Sequence, residues 1–208
     1  MMTAEITETR NRNIVLVGNP NSGKSSLFNR LTGLRQKTGN YPGVTVYKKT
    51  GSMNLNGHGL HKVTDLPGAY SIFPTTTDEQ IAAQEILKST TSGNDSIYVY
   101  VADVTKLDKQ LLLFTQLLSL DKPLILCLNM TDLIHAEPKK LEQIFSKKFS
   151  IPVVSVSSKK GTGIDRLKKE IENFEFNSIP KSGDIFLCLE DINSPSGHSS
   201  GDGYDYTA

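Results

Sequence analysis

Residues 18–25 read Gly-Asn-Pro-Asn-Ser-Gly-Lys-Ser. They fit, at every fixed position, the phosphate-binding pattern of Gly, four free residues, Gly, Lys and Ser or Thr. The chemistry this allows is a cradle for polyphosphate. A glycine-rich turn feeding a helix aims several backbone N–H groups and the positive helix end at one spot. Lys24 supplies charge for the outer phosphates, and the Ser25 hydroxyl supplies a magnesium ligand. Gly23 lets the backbone approach the phosphates without a Cβ between them. Gly18, Asn21, Ser22 and Ser26 complete the expected contacts. The flanks agree with this reading. Ile14-Val15-Leu16-Val17 reads as a buried strand, and Ser25 to Leu31 as a helix with Leu27, Phe28 and Leu31 on one face.

Three further segments carry chemistry, each where a strand should end. Asp65-Leu66-Pro67-Gly68 follows a strand ending at Thr64. Asp65 can hold magnesium through a water, and the Gly68 N–H can sense a terminal phosphate. Asn129-Met130-Thr131-Asp132 ends an apolar run over 124–128. A carboxylate at Asp132 accepts from both N1–H and the 2-amino group of guanine. Adenine offers neither donor, and a site left unpaired in this way rejects the wrong partner on the order of 10⁴-fold. Asn129 would brace neighbouring loops, and Met130 would cover the base with its thioether. Ser155-Val156-Ser157-Ser158-Lys159 follows the next strand. Ser157 is expected to brace Asp132, and Ser158 to offer its N–H to the guanine O6. Ahead of these, the loop Thr38-Gly39-Asn40-Tyr41-Pro42-Gly43-Val44-Thr45 can close on a bound nucleotide, with freedom from Gly39 and Gly43. Thr45 is the expected magnesium-ligating switch residue, with Thr38 as the alternative. Ala69 stands where a water-orienting Gln follows the glycine in many nucleotide hydrolases, so intrinsic hydrolysis should be slow.

These segments need a scaffold that brings strand ends together. Strand-like runs near 13–17, 44–49, 59–64, 96–102, 123–128 and 152–156 alternate with helical patterns near 24–31, 77–88, 106–119, 138–148 and 163–174. The alternation predicts an α/β fold: a mostly parallel six-stranded sheet with one antiparallel strand and helices on both faces. The antiparallel strand comes from a hairpin around Asn56-Gly57. Ligands in such sheets bind at the carboxyl ends of the strands. The chain divides into a polar stretch 1–12, a nucleotide-binding domain 13–176 and a tail 177–208. From 178 on, one Lys stands against four Asp and one Glu, a net charge of −4. The last residues are too polar to bury a core and should be disordered.

The whole chain has 208 residues, with 23 basic against 22 acidic side chains, and no broad nucleic-acid footprint follows. Its longest apolar run, Ile97 to Ala102, is six residues, where a membrane span needs roughly 20. Two distant cysteines argue against a disulfide framework and for a reducing, cytoplasmic compartment. Cys127 is expected to be a buried thiol, and the four histidines to be surface residues.

Taken together, the motifs resemble the N-terminal GTPase domain of the ferrous iron transport protein B (FeoB) family, a Ras-like P-loop GTPase. The strings that carry the likeness are GNPNSGKSSLFNRLTG at 18–33, GNYPGVTV at 39–46, DLPGAYS at 65–71 and NMTD at 129–132, with IPVVSVSSKKGTGID at 151–165 less specific. The resemblance implies binding of GTP and GDP with magnesium and slow hydrolysis stimulated by potassium. It places Lys24, Thr45, Gly68 and Asn21 at the reacting end, with Asn21 as the potassium ligand. It also implies a membrane iron channel as partner, in the same or a separate chain, at the cytoplasmic face of the bacterial inner membrane. A ribosome-assembly or RNA-processing GTPase shares the style of phosphate loop, and a GTP-gated docking domain without catalysis would explain Ala69. Both stand as alternatives at this point.

Overall fold

The computed structural model describes residues 12–33, 36–41, 47–55, 59–88 and 96–176. Its centre is the strand β1 (Asn13–Val17), whose residues 14–17 are all buried. Two further apolar strands lie beside it. β5 (Ser96–Asp103) and β6 (Leu124–Asn129) are buried along their whole length, as strands covered on both faces must be. β4 (Gly59–Asp65) pairs with β1 on the other side, and β7 (Val153–Ser155) closes the far edge. The pairs β4–β1, β1–β5, β5–β6 and β6–β7 are all parallel.

The remaining edge differs from expectation. β3 (Tyr47–Leu55) runs antiparallel to β4, as the hairpin reading requires, and continues past the expected end at 49; residues 44–46 lie outside the described residues. A seventh strand, β2 (Gln36–Asn40), then pairs antiparallel with β3 in a stretch expected to be loop. The six-stranded expectation is thus corrected to seven strands in the order β2-β3-β4-β1-β5-β6-β7. β2 escapes a reading by hydrophobic period because Lys37, Thr38 and Gly39 are exposed. An edge strand of exposed, polar residues leaves no such signal.

Helices cover both faces, and the side-chain alternation of β5 shows how. Ile97, Val99 and Val101 point to the face packed by α1 (Lys24–Thr32) and α5 (Ile164–Glu172), through Leu27, Phe28, Leu167 and Ile171. Tyr98, Tyr100 and Ala102 point to the face packed by α2 (Thr77–Lys88), α3 (Leu107–Leu118) and α4 (Pro138–Phe149). There Phe114 touches Tyr100 at 5.4 Å and Phe149 at 5.0 Å between ring centres. Cys127 is fully buried in the first of these faces. His61 corrects the surface assignment: it is 1% exposed, and its Nδ1 accepts from the Arg12 N–H at 3.1 Å. His135 is exposed as expected, whereas His58 and His198 lie outside the described residues. Among the described residues no helix is long and apolar enough to cross a membrane.

Candidate guanine-nucleotide site

The parallel strands deliver their carboxyl ends to one rim, and the sequence motifs meet there. The turn between β1 and α1 carries the phosphate loop. Gly23 caps α1 in the left-handed region at φ 86°, and a Cβ on it would come within 2.2 Å of Asn129 Nδ2. Only glycine fits both demands. Lys24 is 7% exposed. Its ammonium donates to the carbonyls of Gly18 at 2.9 Å and Asn19 at 3.0 Å, folding back over the loop that it would serve. Burial pushes its pKa down to about 8, against the attraction of Asp65, which raises it. Ser22 is fully buried, and its Oγ has no hydrogen-bond partner among the described residues. Asn21 is exposed with φ 63°, at the outer edge of the loop, and Ser26 faces the neighbouring cavity.

Ser25 and Asp65 meet directly. The Ser25 hydroxyl donates to Asp65 Oδ2 at 2.8 Å. Asp65 Oδ1 is buried with no partner among the described residues, and burial raises the carboxyl's pKa despite the Ser25 bond and Lys24. A buried carboxylate oxygen left unpaired beside a hydroxyl is a hard-oxygen donor set suited to magnesium. Gly68 lies directly against the phosphate loop: a Cβ there would stand 2.8 Å from the Pro20 nitrogen. The next N–H, on Ala69, donates to Gly18 O at 3.3 Å, and Ala69 itself is buried. Thr45 and Gly43 lie outside the described residues, and Thr38 is exposed on β2.

The base end is joined to the phosphate end through Asn129, which is 1% exposed. Its Nδ2 donates to Ser22 O at 2.9 Å, and its Oδ1 accepts from the Ser158 N–H at 3.0 Å and the Ser158 hydroxyl at 2.9 Å. Asn129 thus braces two loops, as read from sequence. Ser158 does not play its expected part, because its N–H is given to Asn129 and is not free for a base. Ser157 does: its hydroxyl donates to Asp132 Oδ1 at 2.6 Å and accepts from the Lys160 N–H at 3.1 Å. The Ser157 bond holds the Asp132 carboxyl below the usual range, so it stays an acceptor at neutral pH. Met130 takes the left-handed conformation, φ 65°, and with Asp132 and Lys159 lines a cavity of about 830 Å³ beside Gly23 and Ser26. That is room for a nucleoside and its phosphates.

Sequence reasoning missed three supports. Arg30, on α1, donates to the Ser158 carbonyl at 2.9 Å and the Lys159 carbonyl at 2.6 Å, tying the last loop to the phosphate-loop helix. Glu79, on α2, accepts from the N–H groups of Tyr70 at 3.1 Å and Thr75 at 2.9 Å. Those bonds hold its carboxyl below the ordinary value. Gln116, on α3, accepts from Ser71 and Ile72. No local pattern announces these roles, since each is a contact between distant elements.

Comparison with known proteins agrees with this geometry. The family described as ferrous iron transport protein B matches residues 12–171. The chain belongs to the FeoB family. It is 41% identical over 169 residues to the Fe(2+) transporter FeoB of Escherichia coli K12, covering 79% of this chain and 21% of that protein. The FeoB of Salmonella typhimurium matches at the same identity and coverage. The chain therefore spans about a fifth of the length of the curated relatives it matches. Among solved structures, an S. thermophilus NFeoB mutant bound to GDP aligns with TM-score 0.70 and 34% identity, over 82% of this chain and 64% of that one. The G domain of T. maritima FeoB aligns with TM-score 0.69 and 36% identity, over 78% of this chain and 98% of that one. The fold is that of the FeoB G domains, a Ras-like P-loop GTPase architecture.

Proposed function

We propose that this chain binds GTP and GDP and hydrolyses GTP slowly, as the nucleotide switch of a ferrous iron transporter. One observation carries the reading: Asn129 ties the phosphate loop at Ser22 to the loop that holds Ser157 and Asp132. The base-reading carboxylate and the phosphate cradle are thereby set as one unit. The GDP bound to an S. thermophilus relative supports the same ligand.

The residues divide the work by chemistry. Asp132 accepts from the guanine edge while Ser157 holds it in place. Lys24 leaves the carbonyls of Gly18 and Asn19 for the phosphates, which return it to full charge. Ser25 and Asp65 would hold magnesium, with Thr45 joining from the switch loop. When bound, magnesium neutralises charge on the outer phosphates. Gly68 offers its N–H to the third phosphate, and buried Ala69 can orient no water. The gap is consistent with a potassium ion held by Asn21, which would add positive charge between the outer phosphates. A membrane iron channel, in the same or a separate chain, is the partner this switch would serve, at the cytoplasmic face of the membrane.

The test is thermal stability with ligand, because a ligand that binds only the folded state raises it with concentration. GDP and GTP should raise Tm in magnesium buffer and ATP should not. Equal shifts for ATP and GTP would remove the guanine assignment. Phosphate release should be faster in potassium than in sodium, and Asn21→Ala should abolish that difference. Equal rates in the two salts would remove the potassium role.

A further inference from the structure

We propose that Gln116 is a positioning residue for the response to the third phosphate. It holds the segment after Gly68 in a fixed relation to the phosphate loop. The inference rests on the GTPase reading above and adds a residue to it.

The Gln116 amide oxygen accepts from the Ser71 hydroxyl at 3.1 Å and from the Ile72 N–H at 2.9 Å. A backbone N–H can only donate, so the oxygen of this amide must face the segment. Ser71 Oγ in turn accepts from the Phe73 N–H at 3.1 Å. Three successive residues thus hang from one side-chain atom. Two residues upstream of Ser71, the Ala69 N–H donates to Gly18 O at 3.3 Å. A shift at Gln116 therefore reaches the phosphate loop through a very short length of chain.

The other end of α3 is fastened to the same loop. Asn19 Nδ2 donates to the Lys109 carbonyl at 3.4 Å, and the Tyr100 hydroxyl lies 3.0 Å from Asn19 Oδ1 and also contacts the Gln110 carbonyl. Gln110 Oε1 accepts from the Asp103 N–H at 2.9 Å. Tyr100 and Asn19 are both buried. Between these anchors and Gln116 the helix rises about 9 Å, and Leu113, Phe114 and Leu117 lock it to the sheet. So α3 is a rigid strut, with the phosphate loop at one end and the segment after Gly68 at the other. Because Ala69 orients nothing, the Gly68 N–H alone must meet the third phosphate from this side, and its placement depends on how the following residues are held.

Two elements share that task. Glu79 grips Tyr70 and Thr75 with an ionised carboxylate, and charged acceptors make the stronger bonds. Gln116 is the neutral, weaker grip, half-buried on the side of α3. Its loss would therefore loosen the segment without removing the stronger grip of Glu79.

The experiment measures affinity for GDP and for a non-hydrolysable GTP analogue, with hydrolysis at saturating GTP, on the full chain. Gln116→Leu keeps the volume and loses the acceptor. Gln116→Glu keeps two acceptor oxygens. The Leu variant should bind GDP within twofold of the unmutated chain, bind the analogue roughly three- to tenfold more weakly, and hydrolyse more slowly by a similar factor. The Glu variant should restore both. Ser71→Ala, which leaves the helix untouched, should move the same ratio in the same direction by about twofold. An unchanged analogue-to-GDP ratio in the Leu and Ser71→Ala variants overturns the proposal, as does equal weakening of both nucleotides or failure of Glu to restore. An unmutated chain that binds neither nucleotide overturns the GTPase reading itself, and that result is seen without any variant.

Discussion

Lys24 should make GDP binding a proton-linked reaction, and the size of the effect follows from where the side chain sits. In the described fold its pKa is pushed from an ordinary 10.5 down to about 8, chiefly by burial. That gap corresponds to about 3 kcal/mol of preference for the neutral amine. Phosphates beside the ammonium reverse the preference, so binding above pH 8 must draw in a proton. For a site with pKa about 8 when free and well above 9 when bound, affinity is nearly flat below pH 7. It then weakens about tenfold between pH 7 and 9. Proton uptake, read from binding heats in buffers of different ionisation enthalpy, should rise from about 0.1 at pH 7 to about 0.9 at pH 9. The same burial acts on the free protein. Between pH 8 and 10.5 the unfolded chain holds more protons at this residue than the folded one, so its contribution to stability rises with pH across that window. Lys24→Arg keeps a permanent charge, and its affinity profile should be flat. A twofold or smaller change in the unmutated chain from pH 7 to 9 refutes the argument. So does the same slope in Lys24→Arg.

Other consequences are local. Gly68→Ala puts a Cβ 2.8 Å from the Pro20 nitrogen. Overpacking of this kind costs about 1–3 kcal/mol, seen as a fall of roughly 3–10 °C in Tm. Arg30→Ala frees the carbonyls of Ser158 and Lys159. It should raise the GDP dissociation rate roughly fivefold without changing the preference between GTP and GDP. Asp132→Asn exchanges one acceptor oxygen for a donor, so GDP should bind on the order of 100-fold more weakly. Xanthine nucleotides, which carry a carbonyl in place of the 2-amino group, should gain. Asp65 is raised by burial, so protons should compete with magnesium for its carboxylate at higher pH than at an ordinary aspartate. The magnesium dependence of GDP affinity should shrink accordingly as pH falls.

The parts legible in the sequence are those that a short contiguous pattern determines. A strand, a glycine turn and a helix at 14–31 can fold in few ways, and the structure returns them with Lys24, Ser25 and Asp65 together. The buried strands β5 and β6 announced themselves as apolar runs, and β6 delivers the Asn129–Asp132 motif at its end. β2 did not, because its neighbour β3 supplies the pairing and its Lys37, Thr38 and Gly39 are exposed. His61 was misplaced for a related reason. Register with Met53 turns it inward, while Leu60 beside it is 58% exposed, the reverse of what polarity suggests. Arg30, Glu79 and Gln116 act across gaps in the chain that no periodicity spans.

Ser158 shows where a motif stops being informative. The reading from sequence gave its N–H to a ligand, since a small residue at that place lets the backbone come close. The structure gives both its N–H and its hydroxyl to Asn129 Oδ1, at 3.0 and 2.9 Å. An alanine there would make only the first bond. The second ties the base loop more firmly to Asn129, and through Asn129 Nδ2 to Ser22 at the phosphate end. Ser158→Ala should therefore loosen both ends of the site together. GDP and GTP should then be released faster by the same factor, about threefold for one lost hydroxyl bond. The measurement is dissociation of a fluorescent GDP or GTP analogue chased with unlabelled nucleotide. A change confined to one of the two nucleotides would show that Ser158 acts on the phosphate response and not through the Asn129 tie.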